Sequence, residues 1–238
     1  MIKYNGNNAI NDWNLGDINI TKAYYNGSVC YEKMESGSTP PSPSRLPSGY
    51  TEVEYIRNSN YNAYIDTGVI LFDNTSNSYT ITTKLTSEFH SDLACATIIA
   101  CENPISTPYY YGLGYRYKCS STVNQLEFYG SYPNYSATVV DNEDGTRTVN
   151  FQSTGNTSWT LDTPLIFFAN WASASYDSIN RPSDATIYSS TVVKNGVTVR
   201  DFVPAKRDSD SKYGLYDLVT NTFYLSPNGN EFSGGSPV

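Results

Sequence analysis

Asn195-Gly196 stands between "TIYSSTVVK" and "VTVRDFV". A tight-turn dipeptide between two runs of strand-forming residues is a β-hairpin signal, because a type I′ turn needs positive φ at both central positions. The arrangement recurs. Asp144-Gly145 separates "ATVVDNE" from "TRTVNFQ", Thr220-Asn221 separates "LYDLV" from "TFYL", and Asn26-Gly27 separates "KAYY" from "SVCY". No segment carries helical periodicity. Strands are expected over 52–57, 63–67, 79–86, 93–101, 109–117, 124–130, 136–140, 146–152, 165–170, 185–194, 197–203, 213–218 and 222–225. Many short strands with turn signals between them predict an all-β fold, a two-sheet jelly-roll sandwich. In "YYYGLGYRY" the bulky Tyr109, Tyr111, Leu113, Tyr115 and Tyr117 share one strand face, and Gly112 and Gly114 share the other with Tyr110 and Arg116.

Composition agrees with that class and excludes others. Charged residues make up 16% of the 238, and 22 are Tyr; ordinary soluble domains are about 25% charged. Ser, Thr and Asn supply the polarity, and their side chains compete with helical backbone bonds. The net charge is −8 with no basic stripe, so no nucleic-acid partner is expected. The acidity also disfavours anionic membranes and polyanionic glycans as primary ligands. The N-terminal "MIKYNGNNAINDW" has no apolar h-region, and no stretch reaches the length of a membrane span, so folding in a cytosol and no membrane insertion are expected. Four cysteines fit neither a disulfide framework nor a metal motif. Cys95 and Cys101, on one strand, would lie about 20 Å apart at ~3.3 Å per residue, too far to bridge.

"SGSTPPSPS" (Ser36 to Ser44) is a linker by composition. It divides an N-terminal β-hairpin module (1–35) from a main domain (46–238), with 36–45 as the connecting segment. The N-terminal piece is too short to be stable alone, and a lone hairpin is marginal in water. It is therefore expected to dock, through Tyr24, Tyr25, Asn26, Gly27, Val29 and Tyr31, onto its own copies or another protein.

Enzymatic constellations are weak. The one histidine, His90, has no nucleophile signature beside it. Glu52 and Glu54 share a strand face in "EVEYI", but the third carboxylate of a Glu-x-Asp-x-x-Glu glucanase run is missing. "DNEDG" (Asp141 to Gly145) lacks the bidentate Glu of a calcium loop; that position is Phe151. No catalytic residue, metal or cofactor is assigned. The tyrosines remain, because aromatic faces stack on sugar rings while Asn and Arg bond hydroxyls. Two polar, aromatic loops are candidates for glycan contact: "NWASASYDSINR", with Trp171, Tyr176, Asn180 and Arg181, and "YGSYPNY", with Tyr132 and Tyr135. Within "VRDFVPAKRDSDSKYGLYDLV", Arg200 and Asp201 are assigned to structural pairing, "PAKRDSDSKYG" to an exposed loop, and Leu215 and Leu218 to burial.

Leu46-Pro47-Ser48-Gly49-Tyr50, Tyr64 to Gly68, Arg200 to Pro204 and Gly214 to Leu218 together resemble a recurrent domain of bacteriophage and prophage structural proteins. That family is similar to concanavalin-A-like and laminin-G-like jelly rolls. "ITKAYYNGSVCYEKM" likewise resembles a short unit of phage tail and fibre proteins. The resemblance implies a non-enzymatic fibre or decoration subunit on the exterior of a virion, assembled in the bacterial cytoplasm. It further implies a homotrimer, contacts to other virion proteins through the N-terminal module, and a lectin-like domain facing host-surface glycans. A structural decoration protein without a ligand and a sandwich-fold glycan hydrolase are the alternatives.

Overall fold

A computed structural model describes residues 14–15, 18–19, 22–25, 28–32, 45–73, 77–87, 96–103, 111–117, 126–129, 135–153, 160–171, 179–180 and 182–238. The chain divides into two compact units, Met1–Pro43 and Ser44–Val238. In the first, β1 (Asn14–Leu15) pairs with β2 (Ile18–Asn19), and β3 (Lys22–Tyr25) pairs antiparallel with β4 (Ser28–Glu32). Tyr24 lies across from Val29 and Ala23 from Tyr31, with a register shift between them. Asn26 and Gly27 lie outside the described residues.

The second unit contains no helix among its described residues. Its strands are β5 (Tyr50–Glu52), β6 (Ile56–Arg57), β7 (Ile65–Asp73), β8 (Tyr79–Ser87), β9 (Thr97–Asn103), β10 (Tyr111–Tyr117), β11 (Leu126–Tyr129), β12 (Tyr135–Asp141), β13 (Arg147–Ser153), β14 (Thr160–Phe167), β15 (Asn170–Trp171), β16 (Ile179–Asn180), β17 (Ala185–Lys194), β18 (Val197–Arg207), β19 (Tyr213–Asp217), β20 (Thr222–Tyr224) and β21 (Ser233–Gly234). One sheet has the order β11-β10-β9-β14-β7. The larger runs β12-β13-β8-β17-β18-β19-β20, with β5 on β18 and β6 between β17 and β21. Both are antiparallel throughout.

Period-2 patterning decides which face is buried. Along β8, Tyr79, Ile81, Thr83 and Leu85 are buried while Thr80, Thr82, Lys84 and Thr86 are half-buried. The inward row joins Ile65, Ile98, Tyr115, Leu165 and Phe167 of the smaller sheet in one apolar core with Val149, Phe151, Ile187, Val192 and Phe202 of the larger. The Phe167 and Phe202 rings meet edge to face across the two layers, 5.9 Å between centroids. Such a contact adds about 0.5–1.5 kcal/mol beyond burial. Thr83 and Ser190, both buried, satisfy each other at 2.7 Å.

Of the turn dipeptides, Asn195-Gly196 forms the expected two-residue turn, whereas Asp144-Gly145 and Thr220-Asn221 lie in longer loops with positive φ only at Gly145 and Asn221. Asn195 and Gly196 both have positive φ (51° and 79°), and Val193 and Lys194 pair with Thr198 and Val197 on either side. Several sequence expectations change, among them the strand expected over 165–170, which is instead the end of a strand running from Thr160 to Phe167. The strand expected over 52–57 is two short strands, because Val53 leaves the ladder to bridge Pro237 while Ile56 pairs with Ile187 and Gly234. Strand β18 continues through Arg207 instead of ending at Val203, so Pro204 and Ala205 are buried and paired, not in an exposed loop. Proline is tolerated there because pairing with β17 stops at Ser190↔Phe202; beyond it β18 runs between β19 and β5, and Val53 donates to the Pro204 carbonyl at 3.1 Å. Conversely, only the Phe202–Val203 end of the 197–203 stretch is buried. Leu215 is fully buried; Leu218 is half-buried against Leu46, Val203 and Tyr216.

Candidate functional site

In the closing segment Arg200 faces Asp217 and not Asp201, and Asp201 takes part through its backbone. Asp217, whose side chain is fully buried, accepts the backbone N–H groups of Asp201 (2.9 Å) and Val219 (3.0 Å) on Oδ1, and the Thr220 hydroxyl (2.6 Å) on Oδ2. The Arg200 guanidinium lies 3.4 Å from Oδ2. A carboxylate at the first residue of the β19–β20 turn thus replaces the ladder bonds that the turn interrupts. Arg57 grips Asp184 through two bonds of 2.8 Å. Buried Asn58 bonds the Ala63 and Ser183 carbonyls, fixing the 58–63 loop to the entry of β17.

The carboxylates weighed for catalysis have separate structural partners. Glu52 ends β5 and holds Arg45 through a two-pronged ion pair. Glu54 lies outside that strand and accepts the Ser236 N–H at 3.3 Å, so the two are not neighbours on one strand face as expected. In the Asp144 turn, Lys84 and then the Thr146 hydroxyl and N–H hold the Asp144 carboxyl well below the usual carboxylate range. Among the described residues no three His, Cys, Asp or Glu side chains are grouped as metal ligands. His90 lies outside the described residues. Cys101 is buried and donates to the Thr163 carbonyl at 3.1 Å.

One end of the sandwich gathers chemistry. After β14 the chain bends at Phe168, where φ is +72°, and forms a small arm. In it Asn170 pairs with Asn180 and Trp171 with Ile179, so the expected loop leaves and returns as a two-rung ladder. Ile179 packs on Tyr64, Ala100, Ile166 and Ala169, a second apolar cluster on the opposite face of the smaller sheet from the core. The arm thereby brings Trp171 and Asn180 to adjacent rungs. Tyr176 and Arg181 lie outside the described residues, as does Tyr132.

Tyr135 is elsewhere. It pairs with Ser153, Ser153 with Tyr79 and Tyr79 with Lys194, a row at the far end of the large sheet. The arm end is marked by Ser87↔Ala185 and by Ser183 donating to the Phe168 carbonyl at 2.8 Å. Tyr79 and Ser87 are separated by about 26 Å at ~3.3 Å per residue. Trp171 and Asn180 on one side, and Tyr135 on the other, therefore do not form one site.

Beside the arm lies a cavity of about 200 Å³ between the β18–β19 turn and the chain after β20. Lys212, Tyr213, Ser226, Asn230, Glu231 and Phe232 line it. Ser226 accepts the Tyr64 N–H at 3.0 Å, and the Phe232 ring lies 5.1 Å from that of Phe168, so the cavity wall rests on the elements that carry the arm. Asn228 and Asn230 both donate to the Asn62 carbonyl (2.7 and 3.0 Å), and Ser226 donates to Asn228 at 2.7 Å. On the other rim, Asp210 accepts Arg207 and the Lys212 N–H. The Arg207 bond, chiefly, holds the Asp210 carboxyl at about 2. Lys212 Nζ and Glu231 Oε1 face each other at 3.7 Å, longer than a hydrogen bond. Sequence reading singled out none of these six residues for a ligand. The only local signal is the turn chemistry of "SPNGN", because Lys212 and Glu231 meet only through tertiary packing.

A scan against protein-family models finds no match, and searches of curated proteins and of solved structures find none either.

Proposed function

We propose that this chain is a structural protein of a phage virion, a head or tail fibre or decoration subunit that presents a lectin-like jelly roll to host-surface glycans. The observation that supports the reading is the convergence, at one end of an antiparallel sandwich, of the Trp171–Asn180 arm with the 58–64, 208–213 and 225–232 segments. A rigid two-sheet body with a cluster of polar and aromatic loops at one end is suited to adhesion. The acidic surface favours neutral glycans over polyanionic ones. The paired strands β3 and β4, with Tyr24, Tyr25, Val29 and Tyr31, are the anchoring module in this reading, joining the protein to other virion proteins and to its own copies as a trimer. Weak single contacts then add up by avidity.

The test is a glycan array probed with the full chain, together with sedimentation of the full chain to count its copies. Reproducible signal on host-surface glycans is expected. A blank array across neutral and acidic glycans overturns adhesion and leaves a decoration protein without a ligand.

A further inference from the structure

We propose that the cavity lined by Lys212, Tyr213, Asn230, Glu231 and Phe232 seats a single neutral sugar ring of the bound glycan, an inference that rests on the glycan-attachment reading. Size is the first argument. At about 200 Å³ the cavity is smaller than the ~300–1,000 Å³ of pockets that enclose drug-sized ligands, so it takes one ring and leaves the remainder of a chain outside. Chemistry is the second. Half-buried Tyr213, its backbone bridged to that of buried Phe232, gives aromatic surface for the C–H face of a ring, and Lys212, Asn230 and Glu231 give donors and acceptors for its hydroxyls.

The mouth carries one charge of each sign. Lys212 Nζ and Glu231 Oε1 are 3.7 Å apart, so neither saturates the other. A pair of neighbouring hydroxyls satisfies both, one donating to the carboxylate and the other accepting from the ammonium. Lys212 and Glu231 cancel in net charge, so the −8 of the whole chain is left to disfavour a sugar bearing its own carboxylate relative to a neutral ring.

Preorganisation is the third argument. The Asn230 backbone and side chain are held by Asn228 and Asn62, and Lys212 leaves a turn fixed by the Arg207–Asp210 pair. Ser211 (φ 60°) and Gly229 (φ 81°) form the tight turns of the two rims. The rims are thus held in place before any ligand arrives, which lowers the ordering cost of binding. The exposed mouth keeps each contact weak, consistent with attachment through many copies.

The experiment titrates the full chain with methyl glycosides of glucose, galactose and mannose, and with N-acetylneuraminic acid as the anionic counterpart. The readouts are saturation-transfer NMR and the ring-proton shifts of Tyr213. Lys212→Met with Glu231→Gln removes the mouth pair, and Trp171→Ala with Asn180→Ala removes the arm candidates. Thermal unfolding checks that each variant is folded. Expected is millimolar binding of at least one neutral glycoside, a shift at Tyr213, a roughly tenfold loss in the mouth variant, and no binding of the anionic sugar. Binding lost only in the arm variant overturns the cavity proposal and leaves the glycan reading standing. So does an array signal with no binding of any neutral glycoside, or a preference for the anionic sugar. Silence on both the array and the glycosides overturns both.

Discussion

The Asp217 carboxylate accepts the backbone N–H of Asp201 at 2.9 Å, while the Asp201 carbonyl accepts the N–H of Leu218 at 2.8 Å. One side chain therefore stitches the closing turn onto β18 where the ladder ends at Phe202↔Asp217. Asp217→Ala leaves three donors and the partly buried Arg200 without this acceptor, a loss of about 3 kcal/mol. Asp217→Asn, which keeps an acceptor oxygen, should cost less. Urea unfolding midpoints of the two variants check the order; equal midpoints for wild type and Asp217→Ala would show that the buried carboxylate stabilises nothing.

Gly214 packs under β20 with no room for a side chain. A Cβ there would collide with the Tyr224 carbonyl oxygen and press on the Phe223 ring at 3.0 Å. Because the first obstacle is backbone, it cannot rotate away, and Gly214→Ala should destabilise by about 1–3 kcal/mol as overpacking does. At Gly234 the obstacle is the Tyr213 ring, so Gly234→Ala should also displace a wall of the cavity. Differential scanning calorimetry measures the first effect. The Tyr213 ring-proton shifts report the second, and an unmoved spectrum in folded Gly234→Ala would contradict the packing.

Phe202 joins the layers, edge-on to Phe167 at 5.9 Å and to Tyr224 at 5.4 Å. Phe202→Ala should cost about 3–5 kcal/mol through the cavity it leaves. Val140→Ala, at a half-exposed position on β12, should change stability by less than about 0.5 kcal/mol. Chemical denaturation of both, with the Phe167→Leu cycle, separates ring contact from burial.

Acid should loosen the arm end by a defined route. The Arg207 guanidinium lowers the Asp210 carboxyl from 3.8 to about 2, with the Lys212 N–H assisting against some desolvation. A carboxylate lowered in the folded state stabilises above its unfolded value, and that contribution disappears as pH falls through the folded value, here between 3.8 and about 2. Asp210→Asn should therefore flatten the fall in melting temperature over that window. The pair is exposed enough that added salt should shrink the difference. Identical pH profiles for variant and wild type would remove Asp210 from the account.

Sequence alone determined what depends on neighbours in the chain. Asn195-Gly196 declares its turn because positive φ is a local cost, and β8 declares its buried face because side chains alternate with period 2. The all-β class follows from the same two effects repeated. Tertiary structure decided what depends on register. Pro204 to Arg207 read as a polar loop until β5 and β19 flank them. Trp171 and Tyr135 read as equivalent loop aromatics until the β8 ladder places them at opposite ends. Lys212 meets Glu231 only because separate turns return to one corner of the sandwich. Backbone preference acts over a few residues, whereas a site assembled from several strands is fixed by which strands pair, and pairing is chosen by burial over the whole domain.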